Sequence, residues 1–203
     1  MQRLCFGGSF NPIHHGHLIC ARAVAEAAGY DRVVLIPSAQ PPHKPNHAEL
    51  ARPEDRLAMT RLAAGCQPEL FEVNDVELQR PGRSYTIDTV RILKEQGWDR
   101  VDWLIGADML RLLPKWHQPE ALLREVNFVI IARPGWSFDW SSLPPAYRAL
   151  EKNVHAAPQI DISATDIRQR IAAGRSIEFL TPPAVVEYIR ARGLYRSLGE
   201  NKC

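Results

Sequence analysis

The start of the chain carries the pattern that most restricts its fold, because a strand, a helix and a second strand follow one another there. Arg3–Phe6 is a short apolar run that ends at a pair of glycines, and Arg32–Pro37 is a β-branched run stopped by proline. Between the two runs, apolar side chains recur at helical spacing over His17–Ala28. The three segments predict a βαβ unit, which implies two parallel strands joined by a right-handed crossover.

The same alternation continues along the rest of the chain. Further strand patterns lie at Leu70–Val73, Val101–Ile105, Asn127–Ala132 and Val154–Ala156, and helical patterns lie at Pro53–Ala64, Ser84–Lys94, Thr165–Ala173 and Pro183–Arg192. The predicted fold class is therefore α/β, with a Rossmann-like, doubly wound parallel sheet and a small C-terminal helical appendage. We expect one domain over residues 1–203, with a core at about 1–160 and a helical subdomain at about 161–203.

Charge and cysteine content argue against several classes of protein. The 25 basic and 23 acidic residues leave a net charge of +2, which is too balanced for a protein that coats nucleic acid. The four cysteines stand far apart, as expected of a reduced cytoplasmic chain rather than a disulfide scaffold. The longest uncharged run, Leu4–Ala21, contains glycines, a proline and three histidines, so it does not predict a membrane span.

The segment Gly7–His17, here called the first loop, joins the first strand to the first helix. In a doubly wound sheet, ligands bind beyond the carboxyl ends of the strands, which is where this loop is expected. Gly7 and Gly8 allow the backbone to approach a ligand closely, and Gly16 leaves room for an anion at the N–H groups of the first helical turn. The first loop therefore predicts a phosphate site, although it matches neither the P-loop nor the dinucleotide-binding pattern.

Two histidines of the first loop are the candidates for catalysis. His14 and His17 stand three residues apart, a spacing that places both imidazoles on one face of a helical turn. There they would stabilise the negative charge of a phosphoryl-transfer transition state. A metal site and a polar surface turn are the alternative interpretations, but no Cys, Asp or Glu lies close enough in sequence to complete a metal site. His15 is expected to be a surface residue.

Two segments at opposite ends of the chain resemble the signatures of one family. Ser9-Phe-Asn-Pro-Ile-His-His-Gly-His17 is similar to the (S/T)-F-(D/N)-P-x-H-x-G-H signature of the nucleotidylyltransferase superfamily. Ile162-Ser-Ala-Thr-Asp-Ile-Arg168 is similar to its second signature, I-S-S-T-x-x-R. The resemblance covers almost the whole chain and points to the bacterial nicotinate-nucleotide adenylyltransferase branch. Asn11 and Ala164 depart from the usual residues, and neither departure removes a group that the chemistry needs.

The resemblance implies an ATP site built from both signatures. Its expected residues are Gly7, Gly8, Ser9, Phe10, Gly16, Gly106, Asp108, Ser163 and Arg168. Ser163 and Arg168 are implied to hold the β- and γ-phosphates, and a guanidinium suits that task because it binds two phosphate oxygens at once. A hydroxyl at Ser163 or Thr165 is also expected to cap the helix that follows. From the residues alone, Asp108 is either a ribose contact or a helix N-cap.

The resemblance also implies a site for the phosphate of a mononucleotide. Lys44, with His43, lies in the long loop after the second strand and is implied to reach that phosphate. Arg133 follows a strand at the same sheet edge, so we expect it to contact phosphate as well. The alternative for Lys44 is an exposed lysine without a ligand.

Two further segments bear on the base of that mononucleotide. Ser84 or Thr86 is expected to cap a helix whose first amides could receive a carboxylate. In the family, amides at the positions near Ile87 and His117 hold the nicotinate carboxylate, and Trp116 is implied to stack on the pyridine ring. A core position is the alternative for Trp116. The other tryptophans are assigned to packing.

The reaction implied by the resemblance is adenylyl transfer. The 5′-phosphate of nicotinate mononucleotide attacks the α-phosphorus of ATP, and pyrophosphate leaves with Mg²⁺. The attacking phosphate is already an anion, so no general base is needed, and no side chain is assigned as a metal ligand. The alternatives are the same chemistry on nicotinamide mononucleotide or phosphopantetheine, a non-catalytic nucleotide sensor, and a zinc-binding protein. The sequence leaves monomer and homodimer open.

Overall fold

The computed structural model describes residues 1–42 and 50–196. Its centre is a six-stranded sheet in the order β3-β2-β1-β4-β5-β6. The strands are β1 (Arg3–Gly8), β2 (Arg32–Pro37), β3 (Phe71–Val73), β4 (Asp102–Gly106), β5 (Asn127–Ala132) and β6 (Val154–Ala156). All neighbouring strands run parallel, so the carboxyl ends of the strands meet at one edge of the sheet.

Helices fill the connections between the strands. They are α1 (His15–Ala28), α2 (Pro53–Ala64), α3 (Thr86–Glu95), α4 (Pro119–Glu125), α5 (Ala164–Ala172) and α6 (Pro183–Arg192). Short 3₁₀ segments lie at Ala107–Met109, Leu113–Lys115, Trp140–Ser142 and Pro145–Asn153. The strand order is that of a doubly wound nucleotide-binding sheet, which confirms the predicted fold class. Among the described residues, no helix has both the length and the apolar character needed to cross a membrane.

Three local features differ from the sequence-based expectation. β1 continues through both of its glycines, because they pair with the last two residues of β2. α1 begins at His15 rather than at His17. The pattern does not predict α4, since a helix of seven residues is too short to show a clear period.

Alternating side chains of the strands build one hydrophobic core on each face of the sheet. Leu4 of β1 and Leu104 of β4 belong to the core that α1, α2, α5 and α6 cover. Their neighbours Cys5 and Trp103 belong to the opposite core, which α3 and α4 cover. This period of two is expected of strands that are buried on both sides.

The C-terminal helices share a core with the first helix. Ile167 of α5 and Val185, Val186 and Ile189 of α6 are at most 2% exposed, and they pack in one cluster with Val24 of α1. α6 also lies against α2. The segment expected to form an appendage therefore completes one face of the sheet. The division into a core and a subdomain stays a prediction.

Ile189→Ala tests the contribution of α6 to the core. The substitution is expected to lower the free energy of unfolding by about 2–5 kcal/mol, because it leaves a cavity at a residue that is 2% exposed. Leu62→Ala on α2 is the control, and its effect is expected to stay below about 1 kcal/mol because Leu62 is 36% exposed. Urea titrations followed by circular dichroism give both values. Equal and small effects would mean that α6 adds no core packing.

Candidate active site

Two neighbouring features lie at the carboxyl edge of the sheet, the start of α1 with its histidines and an apolar pocket. The pocket has a volume of about 480 Å³, which is in the range of small-molecule sites. Its lining comes from the ends of β1 and β4, the segment after β2 and the start of α3. The end of β1 also begins the first loop, so the loop and the pocket adjoin there.

The start of α1 brings His14 and His17 into contact. Their rings stack at a centroid distance of 3.7 Å and an angle of 30°. The backbone N–H of His14 donates to Nδ1 of His17 over 3.2 Å. Because Nδ1 accepts this bond, the proton of a neutral His17 ring lies on Nε2, which becomes the donor of the ring. The expected juxtaposition is therefore present, with His14 as the N-cap of α1.

Two neighbours of the histidines have roles that differ from those expected. Phe10 is 1% exposed, and its ring meets His17 edge-on at 5.3 Å, so its side chain supports the histidine from the core. A Cβ at Gly16 would lie 3.0 Å from Nδ1 of His14. The imidazole of His14 therefore occupies the space beside Gly16 that a side chain would need.

The charge state of His14 follows from its burial. The side chain is 6% exposed, and this burial, with a smaller effect from the charge of His15, lowers the pKa of His14 to about 4. The charged form is disfavoured because the core solvates it poorly. His14 is therefore neutral near pH 7.

The second signature packs against the first loop. Nη1 of Arg168 donates to the backbone oxygen of Asn11 over 3.0 Å. Ser163 is the N-cap of α5, and its hydroxyl accepts from the N–H of Asp166 at 3.0 Å. The hydroxyl of Thr165 instead accepts from Arg168 at 3.4 Å. The structure thus brings the arginine of the second signature to the loop that carries the histidines.

Residues outside the two signatures form hydrogen bonds with the first loop. The hydroxyl of Thr181 donates to the carbonyl of Ile13 over 2.7 Å. The hydroxyl of Tyr195 and the N–H of Ala51 both donate to Oδ1 of Asn11, over 2.8 and 2.9 Å. An amide oxygen accepts such bonds as a carboxylate oxygen does, so Asn11 can stand where the family signature also allows aspartate.

Aromatic side chains form one wall of the pocket, near α3. The rings of Tyr85 and His117 stack at 4.2 Å and 24°, and Trp116 lines the same wall. α3 begins at Thr86, and no side chain caps it. The expected cap from Ser84 or Thr86 is therefore wrong.

Trp103 of β4 is also part of the pocket lining, although its place in an apolar strand predicts packing alone. It is 3% exposed, and a Cβ at Gly7 would lie 2.5 Å from its ring. The indole therefore requires glycine at that position. Only the pairing of β4 with β1 brings the two residues together, and a single strand pattern contains no signal for it.

The remaining expected residues fall in different places. Gly106 lines the pocket, while Asp108 is exposed and its carboxylate folds over Gly106. Arg133 is exposed beyond β5, within electrostatic range of Cys20 in α1, and it does not line the pocket. His43 and Lys44 lie outside the described residues. The roles of these residues stay predictions.

A doubly wound sheet with a histidine-bearing helix start at its carboxyl edge is the framework of a nucleotidyltransferase. The chain belongs to the cytidylyltransferase-like family, whose sequence model matches residues 5–170. A relative in Roseiflexus sp. (strain RS-1), named probable nicotinate-nucleotide adenylyltransferase, is 44% identical over 192 residues, which cover 94% of this chain and 96% of the relative. A relative of the same name in Geobacillus thermodenitrificans (strain NG80-2) is 41% identical over 191 residues, which cover 94% of this chain and 84% of that relative.

Solved structures share the fold. Plasmodium falciparum nicotinic acid mononucleotide adenylyltransferase complexed with NaAD matches with a TM-score of 0.75 at 19% identity, over 96% of this chain and 98% of that chain. The same protein complexed with APC matches with a TM-score of 0.72 at 18% identity, over the same shares of the two chains. At these identities the likeness establishes the fold alone.

Acidification is expected to destabilise the protein through His14. Its pKa is about 4 in the folded chain against an ordinary value of 6.5, so the unfolded chain binds more protons between these values and stability falls as the pH drops. The loss approaches about 3 kcal/mol near pH 4. Urea titrations near pH 7 and near pH 4.5 compare wild type with His14→Gln, which cannot take up this proton. An acid-induced loss of equal size in both proteins would contradict the buried neutral imidazole.

Proposed function

We propose that the chain transfers the adenylyl group of ATP to nicotinate mononucleotide, giving deamido-NAD and pyrophosphate, a step of NAD biosynthesis. The observation that carries the proposal is the stacked pair of His14 and His17 at the start of α1, next to an apolar pocket. The near full-length relatives named nicotinate-nucleotide adenylyltransferases support the same activity.

The triphosphate of ATP would lie along the first loop and the start of α1. A helix N-terminus attracts phosphate because the helix dipole places partial positive charge there. His17 adds the donor on Nε2, and the second signature adds Arg168, which the bond to Asn11 keeps beside the loop. Ser163 and Arg168 bind the β- and γ-phosphates in this proposal, and the pair of histidines faces the α-phosphate.

The pyridine ring of the acceptor would enter the aromatic end of the pocket, beside Trp116 and the stacked rings of Tyr85 and His117. Its carboxylate would accept from the amides at the uncapped start of α3, near Ile87. A nicotinamide ring offers only one acceptor oxygen there, carries no charge, and places an NH₂ donor against the amide donors. The acceptor site therefore favours nicotinate over nicotinamide.

The phosphate of the acceptor is assigned to the loop after β2. Lys44, with His43, supplies the positive charge there, and Arg133 supplies a further charge from the same sheet edge. These assignments rest on the family resemblance and on the place of the segments after β2 and β5.

The reaction needs positioning and charge stabilisation rather than a base. An oxygen of the acceptor phosphate forms a bond to the α-phosphorus of ATP while the bond from that phosphorus to the β-phosphate oxygen breaks. Pyrophosphate leaves with the electron pair of the broken bond. His17 keeps its proton on Nε2 and donates it in a hydrogen bond to the charge that grows on the phosphoryl oxygens.

A divalent ion accompanies the triphosphate in transferases of this kind, and we propose Mg²⁺. When bound, the ion offsets the charge of the departing pyrophosphate. Within residues 1–42 and 50–196, no three His, Cys, Asp or Glu side chains come together as metal ligands. The oxygens of the triphosphate would therefore be the main ligands of the ion.

The cellular compartment is part of the proposal. Cys5, Cys20 and Cys66 are free thiols in the structure. Free thiols fit a reducing compartment, and we propose the cytoplasm.

A pyrophosphate-release assay with ATP and Mg²⁺ tests the activity. Nicotinate mononucleotide is expected to support release at least about tenfold faster than nicotinamide mononucleotide, since one substituent is held by amide donors. Phosphopantetheine and a reaction without acceptor serve as blanks. Equal rates with the two pyridine nucleotides would contradict the acceptor preference. Tight ATP binding without release from any acceptor would favour a nucleotide sensor instead.

His17→Ala tests the catalytic role of the first loop. Turnover is expected to fall by about a hundredfold or more, because removing one donor to the transition state costs about 2.7–4 kcal/mol. His15→Ala is the matched control with little expected change, since His15 joins the fold through its backbone N–H to Leu180. Single-turnover rates of the two variants give the comparison. A near-normal rate in His17→Ala would refute the role of its imidazole.

A further inference from the structure

A buried arginine lies behind the loops that follow β1 and β2. Arg56 of α2 is 1% exposed, and its guanidinium donates only to backbone carbonyls among the described contacts. Nη1 donates to the carbonyl of Ser9 over 2.8 Å and also to the carbonyl of Ser38. Nη2 donates to the carbonyl of Ala39 and Nε to the carbonyl of Ala51, each over 3.0 Å. One side chain thus joins the first loop, the segment after β2 and the start of α2.

Ser38 uses all three of its polar groups to continue this connection. Its N–H donates to the carbonyl of Gly8, at the end of β1, over 2.8 Å. Its carbonyl accepts from Arg56. Its hydroxyl lies close enough to the carboxylate of Glu77 to counter, in part, the rise in the pKa of that acid that burial causes. Ser38 therefore links the first loop to a buried acid on a different segment.

Glu77 carries the connection on to α3. The side chain is 3% exposed, and Oε1 accepts from the hydroxyl of Thr89 in α3 over 2.7 Å. Burial raises the pKa of this carboxyl, and the nearby hydroxyl of Ser84, just before α3, opposes that rise. Ser84 in turn accepts from the N–H of Gln40 over 3.1 Å. Glu77 thus anchors the start of α3 to the segment after β2.

The hydrogen bonds form a path from the first loop, through Arg56 and the segment after β2, to the start of α3. The last link is double, because the N–H of Ser84 also donates to the carbonyl of Gln40 over 2.9 Å. We propose that Arg56, Ser38 and Glu77, here called the positioning chain, set the distance between the triphosphate site and the acceptor site. The three residues act through the elements they hold, so they are positioning residues rather than catalytic ones. This inference rests on the proposed function, because it assigns the two ends of the path to the two substrates.

The reaction makes that distance critical. Two phosphates have to approach in line, and a displacement of about 1 Å can lower the rate by about a hundredfold. Each end of the path binds its own substrate with its own groups. A loosened positioning chain should therefore lower kcat while the KM of each substrate changes little.

Steady-state and single-turnover pyrophosphate release from the full chain tests the proposal. Ser38→Ala removes one hydroxyl, and Glu77→Gln replaces the carboxylate by a neutral amide. Arg56→Lys removes the planar guanidinium with its several N–H donors. Each variant is expected to lower kcat by about ten- to a hundredfold, with the KM of ATP and of nicotinate mononucleotide within about threefold of wild type. The double variant S38A/E77Q is expected to be little worse than E77Q, because both changes break the same path.

Thr60→Val is the matched control. Thr60 is fully buried in the same helix as Arg56, and its hydroxyl donates to the Arg56 carbonyl over 2.7 Å. The change removes a buried hydrogen bond without touching the path, so kcat should stay within about twofold of wild type. Assays at a temperature at which urea titrations show each variant to be folded separate this effect from unfolding.

The outcomes of this experiment are distinct. Unchanged kcat in Ser38→Ala and Glu77→Gln would overturn the positioning chain, as would a tenfold rise in KM without a fall in kcat. A fall in kcat in the double variant equal to the product of the two single falls would also overturn it, because the two residues would then act independently. A wild-type protein that releases no pyrophosphate with any acceptor would instead reject the proposed function.

Discussion

The hydrogen bond from the backbone N–H of His14 to Nδ1 of His17 is the interaction on which the candidate site depends. It fixes the imidazole of His17 in one orientation and puts the proton of the neutral ring on Nε2. The ring of His14 stacks on that imidazole, and the ring of Phe10 meets it edge-on. A donor held from three directions is preorganised, which is what charge stabilisation in a transition state needs.

That hydrogen bond depends in turn on a part of the chain far away in sequence. Arg168 and Tyr195 hold Asn11, and Thr181 holds the carbonyl of Ile13. These residues stay in place because α5 and α6 are packed into the core beside α1. The C-terminal region therefore supports the first loop, and the two signatures, which lie at opposite ends of the sequence, are in contact in the fold.

The alternation of strand and helix patterns predicted the fold class, and most elements begin and end near their expected residues. The two imidazoles were predictable as well, since their spacing depends on one local turn. Features that depend on how side chains pack in the folded chain could not be predicted from the sequence. The place of Trp103 in the pocket follows from strand register, the space at Gly16 is filled by the ring of His14, and Phe10 turns inward. A local pattern contains no information on which neighbour will occupy a glycine's empty space.

The wrong expectation about the start of α3 has a physical cause that bears on function. Ser84 is a good capping residue by type, yet its hydroxyl accepts from the N–H of Gln40 and lies near the carboxylate of Glu77, so it is not available to α3. A missing N-cap costs about 1 kcal/mol of stability. In the proposed function, the amides of the first turn of α3, which no side chain caps, receive the carboxylate of the acceptor. Glu77 thus does two things at once, since it anchors the helix start and diverts the side chain that would otherwise close it.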